Sequence, residues 1–342
     1  MVHFGWTMGT EFVVHLHERS FSVEDKITVL QLVRKYIALR RGVKPTTRAG
    51  YVTVVRLLEA DPFGSVPVES VKLSDAKAWL VKLQQTDGKS FTSIHTVRGV
   101  VRPAFQMAVD DDMLTKNPFD FPLLSVLIDD EGTREAITAA QEEAFLTFIR
   151  ENSHFRKFYD PIYILFKTGL RISEFTGLTL SDIDMEKRLI DVNHQLQRVG
   201  TVVYASTTKT NAGTRILPMT DDVFEAFGRI LESRRTPAVE PTVDGYTGFL
   251  FIDRLGHPMV SLHWDNCFKA IRRKYDFTHT EPLPTITPHV CRHTYCSNMA
   301  KRGMNPKVLQ YLMGHSDISI TLNVYTHLKL DDAREELKRV GL

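Results

Sequence analysis

A short segment near the end of the chain combines side chains that could bind a phosphate. In Thr287-Pro288-His289-Val290-Cys291-Arg292, a threonine suited to a helix N-cap precedes a proline suited to the first helical position. His289 and Arg292 would then lie three residues apart on the first turn of a helix, where both can point at one anion. The helix N-terminus itself attracts negative charge. The segment predicts a phosphate site, although in isolation a surface His–Arg pair would be the simpler interpretation.

The same segment could also suggest a metal site. Four potential ligands fall within eight residues, namely His289, Cys291, His293 and Cys296. Structural zinc usually needs a Cys-x-x-Cys pair and a distant second pair of ligands, and the chain has neither. It also lacks a Gly-rich phosphate loop and a carboxylate cluster for Mg²⁺. We therefore expect neither a metal nor another cofactor.

Four further motifs accompany this segment. They are Thr168-Gly169-Leu170-Arg171-Ile172-Ser173-Glu174, Thr208-Lys209-Thr210-Asn211-Ala212-Gly213, Leu312-Met313-Gly314-His315-Ser316 and Asn323-Val324-Tyr325-Thr326-His327. Five separated elements in one order are far more specific than any one of them. Together they resemble the tyrosine recombinases of the phage integrase type, whose signature is Arg, Lys, His-x-x-Arg, His or Trp, and Tyr. The match runs from Arg171 to Tyr325.

The resemblance implies a role for each matching cation. Arg171 and Arg292 would be the two clamps on the scissile phosphate, and Glu174 would support the first of them. His289 would be a hydrogen-bond donor or proton carrier. His315 would donate a ring N–H to a non-bridging phosphate oxygen.

The resemblance also supplies the covalent chemistry. Tyr325 would attack a DNA phosphate in line, giving a 3′-phosphotyrosyl bond and a free 5′-hydroxyl, and Lys209 would be the general acid for the leaving oxygen. A solvated turn residue is the alternative for Lys209. A phenol has a pKa near about 10, so the neighbouring cations must favour the phenolate during attack.

Strand exchange between two duplexes implies four protomers and a Holliday junction. The expected partners are double-stranded DNA, in the form of element ends, crossover sites and the junction, and a homotetramer on that DNA. Excision factors or host DNA-bending proteins are candidate accessory partners. The tail after Tyr325 is amphipathic and would dock on a neighbouring protomer or pack on its own domain.

The function implied first is a site-specific integrase that integrates and excises a mobile element. The sequence at Thr46 to Arg48 and the overall layout are most similar to integrases of conjugative transposons. A chromosome-dimer resolving recombinase and a type IB topoisomerase share this chemistry and remain alternatives. A DNA-binding protein that has lost catalysis is a third, and it would leave the complete motif set unexplained.

Helices should position these residues. Apolar periodicity predicts helices over about Ile27 to Ile37, Thr46 to Ala60, Ser74 to Gln85 with Ser74 as the N-cap, and Ser90 to Asp112 with a kink or break at Pro103. It also predicts a helix over Thr138 to Glu151. Short β-prone runs at Leu189 to Val192, Val202 to Thr207 and Arg215 to Met219 predict a small antiparallel sheet. The predicted fold is therefore mainly α with a small antiparallel β-sheet, and the resemblance implies a two-domain, C-shaped clamp.

The predicted domain division follows from these patterns and from the polar, proline-containing stretch after Lys116. It assigns residues 1–22 to a segment of open role, 23–116 to a helical core DNA-binding domain, 117–134 to a linker, 135–330 to the catalytic domain and 331–342 to the C-terminal tail.

The distribution of charge indicates where DNA would bind. The net charge is only +2, but residues 24–116 hold 15 basic and 10 acidic side chains. A solvated face is an equal alternative for the basic run at 269–274. The predicted DNA contacts are Lys35, Arg41, Lys44, Thr46, Thr47, Arg48, Arg98, Arg102, Arg215, Lys269, Arg272 and Arg273.

The number of cysteines and the hydropathy of the chain indicate its cellular compartment. Three cysteines in 342 residues are too few for a disulfide framework. No apolar run is long enough for a membrane span, and no signal peptide is evident. We therefore expect a cytoplasmic protein with no membrane partner.

Overall fold

The computed structural model describes residues 26–129, 136–208 and 211–325. They form two compact units, divided between Gly132 and Thr133. Three predictions lie outside the described residues: the role of segment 1–22, the placement of Lys209 and the docking of tail 331–342.

The first unit is helical, as predicted. Its elements are α1 (Val29–Ala38), α2 (Pro45–Ala60), α3 (Leu73–Gln85) and α4 (Phe91–Asp110), with 3-10 helices at Pro62–Ser65, Val68–Ser70 and Leu123–Ser125. Side chains cap two of these helices, since the hydroxyls of Thr28 and Ser90 accept from backbone N–H groups of the first turn of α1 and α4. Phe63 and Trp79 stack with ring centroids 4.4 Å apart in the core between the helices.

Two details of these helices differ from the sequence prediction. Helix α3 begins at Leu73, one residue before the predicted cap Ser74, because the Asp75 carboxylate accepts from the Lys72 N–H at 3.0 Å. Helix α4 runs through Pro103 without a break. The predicted break is therefore wrong, since burial of Val101, Ala104 and Phe105 holds both halves against one core, and the predicted kink stays a prediction.

Most of the predicted linker belongs to this unit. Phe119, Phe121, Leu123 and Leu127 are buried in its core. Side chains also tie the segment down, because Arg98 donates to the carbonyls of Phe119 and Phe121. Residues 117–129 are thus an ordered edge of the first unit, and only 130–134 of the predicted linker lies outside the described residues of the two units.

The second unit mixes helices with short strands. Its helices are α5 (Ala139–Glu151), α6 (Tyr159–Thr168), α7 (Ile172–Gly177), α8 (Asp221–Ser233), α9 (Ser261–Thr278), α10 (Pro288–Lys301), α11 (Pro306–Met313) and α12 (Ile318–Tyr325). The strands are β1 (Ile183–Asp184), β2 (Leu189–Val192), β3 (His194–Val199), β4 (Val202–Thr207) and β5 (Arg215–Pro218), and 3-10 helices lie at Arg156–Phe158, Leu180–Asp182 and Asn211–Gly213.

The strands form two antiparallel sheets where the sequence predicted one. One sheet has the order β1-β2-β5, with Val192 opposite Arg215, and the other is the β3-β4 hairpin, in which His194 pairs with Thr207. Strand β3 was missed because its polar His-Gln-Leu-Gln-Arg sequence has little β-propensity. It is held in place by packing, since Leu196 is fully buried beside Phe249.

The core of the second unit supports the segments that carry the predicted site. Helix α6 packs against α8 and α10, and it ends at Gly169, whose left-handed φ of 64° turns the chain into α7. Helix α11 ends in the same way at Gly314. Within the described residues, no helix combines the length and the apolar character that crossing a bilayer would require.

Candidate active site

Helix α10 begins as the sequence predicted. The Thr287 hydroxyl accepts from the Val290 N–H at 3.2 Å, and Pro288 is the first helical residue. His289 is exposed on this first turn, whereas Arg292 is 5% exposed. The N-terminus therefore presents one histidine to solvent and sends its arginine inward.

His289 contacts a second imidazole. Its Nε2 lies 3.0 Å from Nε2 of His293, with the rings edge to face. In that pair one nitrogen must donate and the other accept. Cys291, by contrast, points into the hydrophobic core, so the four potential metal ligands do not converge, and among the described residues no group of three such side chains could hold a metal ion.

Arg171 and Glu174 form a tight pair at the start of α7. The Glu174 carboxylate is 2% exposed and accepts from Arg171 Nη1 at 2.6 Å and from the Arg171 backbone N–H at 3.0 Å. The second terminal nitrogen of Arg171 donates to the Gly314 carbonyl at 2.7 Å. The Arg171 side chain remains 27% exposed, which leaves it able to meet a ligand.

Arg215 was predicted to contact DNA, and its burial argues against that contact. Its side chain is fully buried and pairs with Glu174 at 3.0 Å. The alternation of β5 carried a signal for this position, since Arg215 and Leu217 share the inward face while Ile216 points outward. A strand pattern read strictly would have placed this arginine inside.

Arg292 lies in the same cluster. Its guanidinium donates to the carbonyls of Gly169 and Met313, and its charge faces Glu174. Burial and repulsion from Arg171 lower the pKa of Arg292 to about 9, which keeps it cationic at neutral pH. The two predicted clamps, Arg171 and Arg292, therefore lie close to the same carboxylate.

His315 follows the last turn of α11, beside these arginines. Its Nδ1 lies 3.0 Å from the hydroxyl of Thr321, which is fully buried. Burial, and then the charges of Arg292, Arg171 and Arg215, lower the pKa of His315 to about 4. The imidazole is thus neutral at physiological pH. No sequence motif predicted the contact with Thr321.

Tyr325 is the last residue of α12, which packs against α10 and α11. Its ring packs with Cys296, Ala300, Leu309 and Met313. Its hydroxyl donates to the Met304 carbonyl at 2.6 Å, and burial raises its pKa. The phenol is therefore protonated and engaged in this structure, a contact that the motif alone did not predict.

The predicted DNA contacts of the first unit fall into two groups. Lys35 and Arg102 form ion pairs with Asp111 and Asp120, respectively. Arg98 donates to the backbone carbonyls of Phe119 and Phe121, which argues against a DNA contact by Arg98. The other predicted contacts are exposed around the start of α2: Arg41, Lys44, Thr46, Thr47 and Arg48.

The basic run on α9 is partly paired. Arg272 lies 3.4 Å from Asp276 and donates to the Thr285 hydroxyl. Lys269 and Arg273 are exposed. Their DNA contact stays a prediction.

Gly169 should tolerate no side chain. A Cβ at this position would lie 2.5 Å from the Tyr295 ring and 3.0 Å from the Met313 sulfur, and the backbone is left-handed. Gly169→Ala is expected to lower the free energy of unfolding by about 2–4 kcal/mol through strain and overpacking, measured by urea denaturation.

Gly228 provides the matched control within the same unit. It lies in α8 with only the Met185 methyl near the added Cβ, at 3.9 Å. Gly228→Ala should stabilise by about 0.5–1 kcal/mol. Equal effects of the two substitutions would contradict the close packing at Gly169.

The low pKa of His315 predicts a pH dependence. The unfolded chain takes up this proton near the ordinary pKa of 6.5, but the folded protein does so only near 4. The contribution of His315 is therefore fully present above about pH 6.5, and the free energy of unfolding falls as the pH drops from there towards 4. An NMR titration of the ring, assigned with His315→Gln, should give a midpoint near 4 in the free protein. A midpoint above 6 would show that the arginines do not act on this ring.

Arg171, Arg292 and His315 lie together near a tyrosine, an arrangement typical of the sites of phosphate-binding enzymes. Comparison with known proteins gives the family. Residues 135–331 match the model of the phage integrase family. The transposase from transposon Tn916 of Enterococcus faecalis is 40% identical over 327 residues, which cover 95% of this chain and 80% of that protein. The chain belongs to the phage integrase family of tyrosine recombinases, enzymes that break and rejoin DNA.

Two further relatives bear on the finer assignment. The Tn1549 transposon integrase, solved in complex with a circular intermediate DNA, is 44% identical, with a TM-score of 0.86 and coverage of 92% of this chain and 100% of that one. A tyrosine recombinase XerC-like protein of Caldanaerobacter subterraneus is 26% identical over 85% of this chain and 76% of its own length.

Proposed function

We propose that this protein is the integrase of a conjugative transposon, which cuts and rejoins DNA strands through a 3′-phosphotyrosyl bond at Tyr325. The observation that carries the proposal is the cluster in which Arg171 and Arg215 bond Glu174 and the charge of Arg292 faces the same carboxylate, next to His315. Three cations around one buried carboxylate keep a net positive charge, which suits a phosphodiester.

The residue roles follow from the contacts. Arg171, with part of its guanidinium exposed, would bind one non-bridging oxygen of the scissile phosphate. Arg292 would act mainly by its charge, because two of its nitrogens are bonded to carbonyls. If Nδ1 of His315 accepts from Thr321, its Nε2 carries the proton and can donate to the phosphate.

The chemical step requires Tyr325 to leave the Met304 carbonyl. The phenolic oxygen then forms a bond to phosphorus, and the bond from phosphorus to the 5′-oxygen breaks. The phenolic proton would pass to the solvent or to His289, and the 5′-oxygen would take a proton from Lys209. Bound phosphate would raise the pKa of His315 and Arg292 by offsetting the repulsion among the cations.

Similarity supports a mobile element over a chromosome-dimer resolving system. Identity to the Tn916 transposase is 40%, against 26% to the XerC-like recombinase. In two structures of the Tn1549 integrase an arginine and a tyrosine are replaced, and these positions are as far apart in the sequence as Arg171 and Tyr325. Those two replaced positions support the assignment of Arg171 and Tyr325.

The remaining assignments are part of the same proposal. Residues 23–116 would bind DNA through the exposed residues around the start of α2, residues 135–330 would catalyse, and 331–342 would contact a neighbouring protomer. Two cuts in each of two duplexes require four nucleophiles, hence a tetramer on a Holliday junction. The enzyme would work in the bacterial cytoplasm, where the element and its target DNA meet.

A nicked duplex with candidate element ends tests this function. The cut releases a short fragment, so the covalent complex accumulates, and peptide mapping should find the DNA on Tyr325. A four-way junction substrate should be resolved as well. Relaxation of supercoiled plasmid by a monomer without junction resolution would favour a topoisomerase instead, and the absence of any adduct would refute catalysis.

A further inference from the structure

Three arginines hold the end of α11 through three successive carbonyls. Arg215 Nε donates to the Leu312 carbonyl at 2.8 Å, Arg292 donates to Met313, and Arg171 donates to Gly314 at 2.7 Å. The last carbonyls of a helix lack helical partners and carry partial negative charge, so guanidinium groups suit them well. His315 is the next residue, and its position is set by this turn.

Arg215 differs from the other two arginines in its surroundings. Its side chain is fully buried, and every guanidinium nitrogen has a partner within the protein. Besides Leu312, these partners are the Gly213 carbonyl at 2.8 Å and the Glu174 carboxylate at 3.0 Å. The fully buried guanidinium therefore has no exposed face that could meet a DNA phosphate.

The three partners of Arg215 come from separate parts of the chain. Glu174 belongs to α7 and orients Arg171. Leu312 lies on α11, three residues before His315, and Gly213 lies just before β5. We propose that Arg215 is a positioning residue of the recombinase site, which fixes Arg171 through Glu174 and His315 through the end of α11. This inference rests on the proposed function, because it assigns Arg215 to the same strand-cleavage reaction.

The surrounding space is closed around this side chain. A Cβ on Gly314 would lie 2.9 Å from Arg215 Nη1 and 3.0 Å from the Ala212 carbonyl. The planar guanidinium reaches three acceptors at fixed angles, which a lysine ammonium at the end of a flexible stem cannot reproduce. Charge alone therefore does not replace the arginine.

Removal of Arg215 also changes the charge balance of the site. Burial raises the pKa of Glu174, and Arg215, Arg171 and Arg292 oppose that effect strongly enough to leave the pKa below its ordinary value. The same three arginines lower the pKa of His315, as does His293. Without Arg215, both pKa values would rise, so protonation at acid pH would reach the site earlier.

Single-turnover cleavage of the nicked duplex by full-length variants tests the inference. Arg215→Met and Arg215→Lys should each cleave about 100-fold more slowly, the loss expected when reacting groups are misplaced by about 1 Å, with unchanged DNA affinity. The acid limb of the pH–rate profile should move to higher pH in Arg215→Met and stay in place in Arg215→Lys, since lysine keeps the charge. A purely structural role would leave the acid limb of both variants at its wild-type pH.

Two controls complete the experiment. Arg229→Met removes an exposed arginine that pairs with Asp160 and should cleave as the wild type does. Ile230→Ala opens a cavity in α8 of the same unit and supplies a destabilised reference with an intact site.

The inference is overturned if Arg215→Met cleaves at the wild-type rate, or if it loses no more activity than Ile230→Ala at a matched melting temperature. If Arg215→Met does not fold, Arg215→Lys decides the matter, because a wild-type rate in that variant would show that geometry is not needed. Failure of the wild type to form an adduct would instead refute the proposed function.

Discussion

Tyr325→Phe is expected to abolish strand cleavage, lowering its rate by at least about 10⁴-fold, because the substitution removes the attacking oxygen. The phenylalanine ring keeps the packing of Tyr325 against Cys296, Leu309 and Met313. Among the described residues, the substitution removes the hydrogen bond to the Met304 carbonyl, which contributes about 0.5–1.5 kcal/mol to stability. DNA binding should therefore persist while the covalent adduct disappears from a denaturing gel.

Tyr311 provides a matched control for this substitution. It is an exposed tyrosine on α11 whose hydroxyl donates to the Ile216 carbonyl at 3.1 Å and accepts from the Ile216 N–H at 3.2 Å. Tyr311→Phe loses more hydrogen bonds than Tyr325→Phe but no nucleophile, so it should form the adduct. An adduct that survives in Tyr325→Phe, or one that vanishes in Tyr311→Phe, would assign the nucleophile elsewhere.

Arg292→Met should reduce both cleavage and stability. The guanidinium supplies charge that would stabilise the pentacoordinate phosphorus of the transition state. The loss of one such group costs about 10²–10³-fold in rate. The same substitution leaves two buried acceptors, the carbonyls of Gly169 and Met313, without their guanidinium donor, and it removes one cation from the surroundings of Glu174. We expect the free energy of unfolding to fall by about 3–5 kcal/mol.

Arg302 controls for loss of charge on the same helix. It is exposed at the C-cap of α10, and Arg302→Met should leave cleavage rate and unfolding free energy unchanged. Cleavage assays and urea denaturation measured on both variants separate the two effects. If Arg292→Met unfolds at the wild-type denaturant concentration, the hydrogen bonds of Arg292 do not support the site.

The helical elements illustrate how far local signals reach. The predicted spans for α2 and α5 match the structure closely, because apolar periodicity lies within both helices and the Thr138 cap lies at the start of α5. The start of α3 was missed because Asp75, three residues after the N-cap Lys72, accepts from its N–H in place of a cap by the Ser74 hydroxyl. Strand β3 was missed because its stability comes from Phe249 and other distant residues.

The predicted DNA contacts show the limit for charged side chains. Arg98, Arg102 and Arg215 look alike in a sequence, yet one bonds backbone carbonyls, one pairs at the surface and one is fully buried. The environment of each arginine depends on its partner, Phe119, Asp120 or Glu174, which lies 18 to 41 residues away in the sequence. Only strand alternation at Arg215 carried a usable local signal.

The placement of His289 and Arg292 on the first turn of one helix was determined by the sequence itself, because the cap at Thr287 and the proline after it act within a few residues. The order of the motifs likewise identified the family and selected Tyr325. Tertiary structure alone decided that Arg171 meets Gly314, 143 residues away, that Arg215 lies inside the site and that the Tyr325 hydroxyl bonds Met304. The physical reason is that a buried charge is stable only with its partners in place, and the fold brings those partners together from distant segments.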